Sequence, residues 1–262
     1  LEDAKEVITP GITRPVDEYV NESKELDSAT TTLYRACAAR CNFLGLDRPD
    51  LQYAAKEVSR GMSKPTEDDM TMLKRLARYI KKYPRAALIY KHQLPPKCLR
   101  VYSDSNWAGC VKTRKSTQGG TVMINGCCVK SWSSTQAIIS LSSGEAEFYG
   151  IVKAASVGLG VQATLKDLGV QLDLEVYTDA TAAKGIASRK GLGKTRHIAV
   201  HFLWIQERVA NGDFKLLKVW GGVNPADLMT KYLTREVMNT HMNTCNLKYL
   251  EGRSSEAPVL AS

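Results

Sequence analysis

The chain has 262 residues, of which 44% are hydrophobic and 24% are charged, so it can form one large globular domain or two smaller ones. It contains no run of about 18 apolar residues, which excludes a membrane span, and its N-terminus lacks the basic start and apolar core of a secretion signal. We therefore expect an intracellular chain, cytoplasmic or nuclear. The net charge of +9 is concentrated in residues 97–235, where 18 Lys and Arg stand against 10 Asp and Glu. This distribution favours a polyanionic partner, with charge that serves only solubility as the alternative.

The first 95 residues predict a polar segment followed by helices. Residues 1–27 are polar, and we expect them to be loose. Apolar residues at helical spacing predict a helix over 29–46, a second follows over 51–62, and a third over 67–82 begins after Pro65 and Thr66. We interpret 28–95 as a small all-α unit.

The pattern changes to strands after residue 96. A first strand over 99–104 leads into a turn-like stretch over 107–120, and 121–136 form a hairpin around Asn125 and Gly126 whose second strand continues to residue 142. The later elements are a long helix over 144–168, a strand over 174–179, helices over 180–188 and 194–212, a strand over 214–220 and a last helix that opens within 224–233. The order predicts an α/β fold with a mixed five-stranded sheet over 96–236, followed by a partly disordered tail over 237–262.

The cysteines and histidines show no metal-binding spacing. Seven cysteines without a CxxC pair predict reduced, buried thiols. His197 and His201 are four residues apart but lack the Glu of an HExxH motif, so we interpret them as ordinary helix residues.

Four carboxylates stand where a predicted strand ends or a helix begins: Asp104, Glu147, Asp179 and Asp227. Each one alone fits a capping role, but residues 97–235 hold only 10 carboxylates and four of them share this placement. Clustered carboxylates raise each other's pKa values unless a cation neutralises them. Mg²⁺ prefers such oxygen ligands, and two ions about 4 Å apart can promote displacement at a phosphodiester. We expect a site for two Mg²⁺ ions, with Mn²⁺ as an alternative.

Glu145 and Glu147 compete for the second position of this set. They are about 200° apart around a helix, so both cannot face one site. Ser142 and Glu145 form an S-x-x-E capping box, which assigns Glu145 a capping role worth about 1 kcal/mol and leaves Glu147 for the site.

These segments resemble the ribonuclease H domain of copia-type long-terminal-repeat retrotransposons. The blocks from YSDSNWAG to SSGEAEFYG, then VYTDATAAKGIA, KTRHIAVHFLWIQE and NPADLMTK, follow that domain in order over residues 100–233, and 33–80 resemble its connection to the reverse transcriptase module. The resemblance implies a ribonuclease H-like fold and the four acids as metal ligands, with Asp104 shared by both ions and Asp227 on the ion that activates water. It also implies an RNA–DNA hybrid as substrate and the reverse transcriptase module as partner, with no membrane or small-molecule substrate.

The chain departs from the family pattern at several positions. Asn106 and Ala199 stand where an acid is usual, the loop before Asp227 lacks a histidine, and no Y-x-D-D polymerase motif occurs. A catalytically decayed, nucleic-acid-binding remnant is therefore the alternative function. We expect Trp107 and Trp132 to lie in the core. The candidate nucleic-acid contacts are Lys112, Arg114, Lys115, Ser142, Ser143, Arg189, Lys190, Lys194 and Arg196.

Overall fold

The computed structural model describes residues 4–13, 23–193 and 195–252. The α-helices are α1 (Ser28–Leu44), α2 (Pro49–Arg60), α3 (Glu67–Lys82), α4 (Ser143–Asp167), α5 (Thr181–Ser188), α6 (Trp204–Asn211) and α7 (Arg235–Thr244). The strands are β1 (Ala86–Leu88), β2 (Cys98–Asn106), β3 (Thr117–Ile124), β4 (Cys127–Thr135), β5 (Asp173–Thr178), β6 (Lys215–Lys218) and β7 (Leu247–Tyr249). Short 3-10 helices cover Val200–Phe202, Gly221–Val223 and Pro225–Met229.

The main sheet has five strands in the order β4-β3-β2-β5-β6. β2 and β4 both run antiparallel to β3, whereas β5 runs parallel to β2 and β6 parallel to β5. The predicted mixed sheet is confirmed. The parallel pairs place the C-terminal ends of β2 and β5 side by side, which brings together the residues that follow them.

Helices cover both faces of the sheet. On one face, α4 to α6 pack on the apolar side chains of β2 and β5, with Val101, Phe148 and Val176 fully buried. On the other face, α1 to α3 and α7 share a second core with Met123 of β3 and Met229. The helical unit therefore has no core of its own but completes the core of the sheet.

Local signals place two elements correctly. Asn125 and Gly126 have φ angles of 49° and 74° and join β3 to β4 as a two-residue turn, which is the predicted hairpin. Helix α3 begins at Glu67 because Thr66 and Asp69 form a reciprocal capping box.

The hairpin differs from its prediction at both outer ends. β3 already begins at Thr117, inside the predicted turn, because residues 117–119 pair with 104–106 of β2. β4 ends at Thr135, so the predicted continuation over 137–142 is wrong. Gln136 donates a side-chain hydrogen bond to the Ala146 carbonyl at 2.8 Å and accepts one from Ser140, which folds 136–142 into a loop.

The predicted helix over 194–212 is largely wrong. Only Trp204–Asn211 is α-helical, after the 3-10 turn at Val200–Phe202, so His197 and His201 are not α-helix residues. Gly191 and Gly193 adopt φ angles of 76° and 54°, which break the chain direction before the segment.

The C-terminal elements also differ. The predicted last helix is a 3-10 helix over Pro225–Met229, and α7 begins only at Arg235. Residues 237–249, expected in a tail, instead complete α7 and form β7, which pairs with β1. The remainder of the expected tail, 253–262, lies outside the described residues.

Part of the N-terminal segment is packed rather than loose. Thr9, Pro10 and Gly11 are buried, and Gly11 lies so close to the Tyr232 ring that a Cβ there would overlap it. Arg75 of α3 donates to the Thr9 hydroxyl at 2.9 Å. A second described part of the segment, residues 23–27, leads into α1 with Asp27 as its N-cap.

Candidate metal and nucleic-acid site

Three carboxylates from three elements meet at the C-terminal end of the parallel strands. Asp104 lies on β2, Glu147 in the first turns of α4, and Asp179 directly after β5. One carboxylate oxygen from each lies within 4.8 Å of the other two. Asp104 is 4% exposed and Glu147 is 8% exposed, so this group, which we call the carboxylate cluster, is largely shielded from water.

The raised pKa values in the carboxylate cluster show how strongly burial and mutual repulsion disfavour its charged form. Burial, with the charges of Asp104 and Asp179, raises the pKa of Glu147 to about 9. Burial and Asp104 also raise the pKa of Asp179. Glu147 Oε1 accepts a hydrogen bond from the Ser105 backbone at 3.0 Å, but the buried Oε2 has no hydrogen-bond partner. A buried, unpaired acceptor beside two further carboxylates fits a divalent ion, which takes oxygen ligands.

Asp227 lies next to the carboxylate cluster but is not one of its three members. It sits on the 3-10 helix Pro225–Met229, which is fixed to the end of β2. Asn224 donates to the Ser103 carbonyl at 3.0 Å, and Thr230 donates to Asp104 Oδ2. Burial and the charge of Asp104, opposed by Lys231, raise the pKa of Asp227 to about 7.

A glycine lets this 3-10 helix approach the sheet. Gly119 pairs with Asp104 across β2 and β3, and a Cβ at Gly119 would lie 2.3 Å from the Met229 Cβ. Since real Cβ atoms do not come so close, a side chain at position 119 would push the helix, and Asp227 with it, away from the cluster.

Lys231 is a site residue that sequence reasoning missed. Its Nζ lies 3.0 Å from Asp227 Oδ1 and 3.6 Å from Asp104 Oδ2, so it partly neutralises both. The i, i+4 spacing from Asp227 is the sequence signal that points to it.

His241 is a second residue that was missed. It is fully buried, and its Nε2 lies 3.9 Å from Asp227 Oδ2, while neither ring nitrogen has a hydrogen-bond partner. Burial lowers its pKa. Position 241 falls within the predicted tail, and no local pattern connects it with Asp227.

The predicted nucleic-acid contacts differ in how exposed their side chains are. The exposed ones are Lys112, Arg114, Ser142, Ser143, Lys190 and Arg196. Lys115 is half-buried. Arg189 turns inward, where it donates to the Leu192 carbonyl and the Thr195 hydroxyl at 2.5 Å each. Lys194 lies outside the described residues.

The two tryptophans differ from each other. Trp132 is half-buried and packs against the core. Trp107 is 47% exposed, so its predicted core position is wrong, and its indole N–H donates to the Ser140 carbonyl at 2.9 Å.

The two positions that depart from the family pattern, Asn106 and Ala199, differ in their surroundings. Asn106 donates to the Thr230 carbonyl at 3.4 Å, so it contacts the turn after Asp227. Ala199 is exposed in the segment before α6.

Comparison with known proteins finds relatives among transposon polyproteins. The chain is 31% identical over 236 residues to the retrovirus-related Pol polyprotein from transposon RE2 of Arabidopsis thaliana, a match that covers 88% of this chain and 16% of that protein. It is 29% identical over 205 residues to the corresponding polyprotein from transposon TNT 1-94 of Nicotiana tabacum, which covers 75% of this chain and 15% of the relative. The chain thus spans about one sixth of these relatives. No protein-family model matches.

Two solved structures are also similar. The N-terminal RNase H domain of a Mycobacterium tuberculosis protein, fused to maltose-binding protein, matches with a TM-score of 0.34 and 12% identity over 56% of this chain and 98% of that chain. LC11-RNase H1 in complex with an RNA/DNA hybrid matches with a TM-score of 0.33 and 18% identity over 50% of this chain and 93% of that chain. Among the described residues, every helix is too short or too polar to cross a bilayer.

Proposed function

Because the chain belongs to the copia-type retrotransposon Pol polyproteins and has a ribonuclease H-like mixed sheet, we propose that it is a ribonuclease H. Its substrate is the RNA strand of an RNA–DNA hybrid, which it hydrolyses with divalent metal ions during reverse transcription. Its partner is the reverse transcriptase module of the same polyprotein. Within the chain, 28–95 form the connection to that module and 96–236 the nuclease, and the shared core joins them into one body.

The carboxylate cluster is the observation that carries this proposal. Glu147 and Asp179 have raised pKa values, and Glu147 has a buried oxygen without a hydrogen-bond partner, so the cluster is costly to fold unless a cation binds it. A bound metal ion would offset this unfavourable free energy of burying the acids. A purely structural role would be served better by hydrogen-bonded side chains.

Each part of the site has a role in this proposal. Asp104, Glu147 and Asp179 would hold Mg²⁺ or Mn²⁺, and Asp227 would hold a second ion together with Asp104. Bound ions of this kind activate water and stabilise the leaving oxygen of a phosphodiester. Lys231 limits the repulsion between Asp104 and Asp227.

The surroundings of the cluster would bind the hybrid. The exposed cations Lys112, Arg114, Lys190 and Arg196, with the half-buried Lys115, would contact phosphates. Ser142 and Ser143, exposed at the start of α4, would contact the 2′-hydroxyl that distinguishes RNA from DNA.

Cleavage of a labelled hybrid tests the proposal. The purified chain is expected to cut the RNA strand with Mg²⁺ or Mn²⁺ and not with EDTA. Asp104→Asn or Glu147→Gln should lower the rate at least about a hundredfold, because each removes a ligand charge, while circular dichroism shows the fold retained.

Asp173→Asn is the matched control, since Asp173 is an exposed carboxylate at the start of the strand that Asp179 follows, and its rate should equal that of the wild type. If the wild-type chain binds the hybrid but never cuts it with either ion, the chain is a binding remnant and the proposed activity is wrong.

A further inference from the structure

Glu145 is a buried carboxylate that the proposed chemistry does not use. It is only 3% exposed and receives three hydrogen bonds of 2.9 Å, from the Leu141 backbone, the Tyr149 hydroxyl and the His197 ring. Such a set of partners exceeds the capping role that the sequence predicts. Ser142 does cap α4 by accepting from the Glu145 backbone at 3.2 Å, so the side chain of Glu145 is left for these other contacts.

His197 belongs to an irregular segment that carries positive charge. Residues 189–193 and 195–199, here called the basic segment, include the exposed side chains of Lys190 and Arg196. The described part of the segment forms no α-helix, so its shape depends on side-chain contacts rather than on a helical ladder.

The basic segment is anchored at two points. At one end, Gln206 of α6 accepts from the Gly191 backbone at 2.9 Å and donates back to its carbonyl at 3.1 Å. At the other end, His197 meets Glu145 and the neighbouring Ile198 is buried in the core. Arg196 lies directly beside this second anchor.

The second anchor connects the basic segment to α4, the helix that carries Glu147. Glu145 and Glu147 share the first turns of α4, one facing the basic segment and the other facing the ends of β2 and β5. The Leu141 contact fixes the loop 136–142 to the same carboxylate, and that loop leads into Ser142 and Ser143. Glu145 therefore holds the two segments that border the start of α4.

We propose that the Glu145–His197 contact is a latch that positions the basic segment for binding nucleic-acid phosphates. It sets the orientation of Lys190 and Arg196 relative to the helix that carries Glu147. His197 and Glu145 are positioning residues, since they act through these cations. The latch rests on the proposed function for the identity of the polyanion, a nucleic-acid backbone.

Binding of a fluorescein-labelled RNA–DNA hybrid in EDTA, measured by anisotropy over a range of salt concentrations, tests the latch without cleavage. His197→Ala is expected to weaken binding about tenfold and to reduce the slope of log K against log salt by about 1 to 2, because each lost phosphate contact contributes about 0.9. His197→Gln keeps an N–H donor and should restore most of the affinity. His201→Ala is the control: His201 is an exposed histidine of the same region whose ring contacts Phe202 at a tilted angle, and its removal should change neither quantity.

A variant that lacks the two exposed cations keeps the test decisive if His197→Ala folds poorly. Lys190→Ala with Arg196→Ala changes only exposed side chains and should give the same loss of salt slope. Where His197→Ala folds, adding it to this pair should weaken hybrid binding little further, because the latch acts through these cations.

The latch is wrong if the pair variant binds like the wild type, or if His197→Ala and His201→Ala bind alike. A wild-type chain that binds the hybrid but never cuts it, while His197→Ala still loses salt slope, would refute the proposed nuclease and leave the latch standing. If the wild type cleaves normally and His197→Ala binds the hybrid unchanged, the latch is refuted and the proposed nuclease stands.

Discussion

At the scale of single residues, Lys231 governs how the acids coexist without a metal. Its ammonium group lies between Asp104 and Asp227, which approach from β2 and from the 3-10 helix Pro225–Met229. Among the described residues, the other group within ion-pair distance of these two acids is His241, and burial lowers the pKa of that ring. A bound divalent ion would neutralise the same carboxylate oxygens, so it would take over part of the charge compensation that Lys231 provides.

Lys231→Met should therefore destabilise the metal-free protein by about 1–2 kcal/mol, a modest value because its side chain is 40% exposed and solvent screens the charge. Mg²⁺ should recover more stability in this variant than in the wild type. Urea unfolding with EDTA and with MgCl₂ measures both effects. Lys153→Met, which removes an exposed lysine from α4, is the control, and equal losses in the two variants would contradict the role of Lys231.

At the scale of elements, Gly126 and Gly185 have equally open surroundings but lie in different backbone conformations. A Cβ added at Gly126 or at Gly185 would meet no atom within 4 Å. Gly126 has a φ of 74° in the β3–β4 turn, whereas Gly185 lies within α5. Sterics therefore cannot distinguish them, and only the backbone conformation does.

We expect Gly126→Ala to lower the free energy of unfolding by about 1 kcal/mol, because an L-residue disfavours the left-handed region. Gly185→Ala should raise it by about 0.5–1 kcal/mol, because alanine loses less backbone entropy in a helix. Urea unfolding of the two variants compares them directly. Changes of the same sign would show that the turn or the helix is not formed as described.

At the scale of the whole molecule, the two cores explain why the helical unit and the sheet belong together. The second core joins Leu51, Leu76 and Tyr79 of the helical unit to Met123 of β3 and Met229 of the 3-10 helix. The 3-10 helix that bears Asp227 thus rests on α2 as well as on β3. The close approach of Gly11 to the Tyr232 ring and the β1–β7 pair add further connections between residues 1–95 and the rest of the chain.

A chain that begins at residue 96 should consequently lose its cooperative unfolding transition, because one face of its sheet would be exposed to water. Thermal unfolding by circular dichroism and binding of a hydrophobic dye would report this loss. Supplying residues 1–95 as a separate polypeptide should restore the transition. A shortened chain that unfolds as cooperatively as the full one, at the same temperature, would show that the helical unit is dispensable.

The sequence by itself determined those features that depend on neighbours in the chain. Pro65 with Thr66 and the Asn125–Gly126 turn predict the start of α3 and the β3–β4 hairpin, because their signals act over two to four residues. The order of strands and helices predicts the mixed sheet. Carboxylates at strand ends and helix starts predict which acids could meet.

Only the tertiary structure decided which groups surround those acids. Thr230 contacts Asp104 from 126 residues away, and His197 reaches Glu145 across 52, distances that no local pattern encodes. The segment 194–203 is part of a predicted helix, yet positive φ angles at Gly191 and Gly193 and contacts to Gln206 and Glu145 hold its described residues out of an α-helix. Burial energies summed over the whole fold outweigh weak local preferences, so the latch, Lys231 and His241 became visible only once the chain was folded.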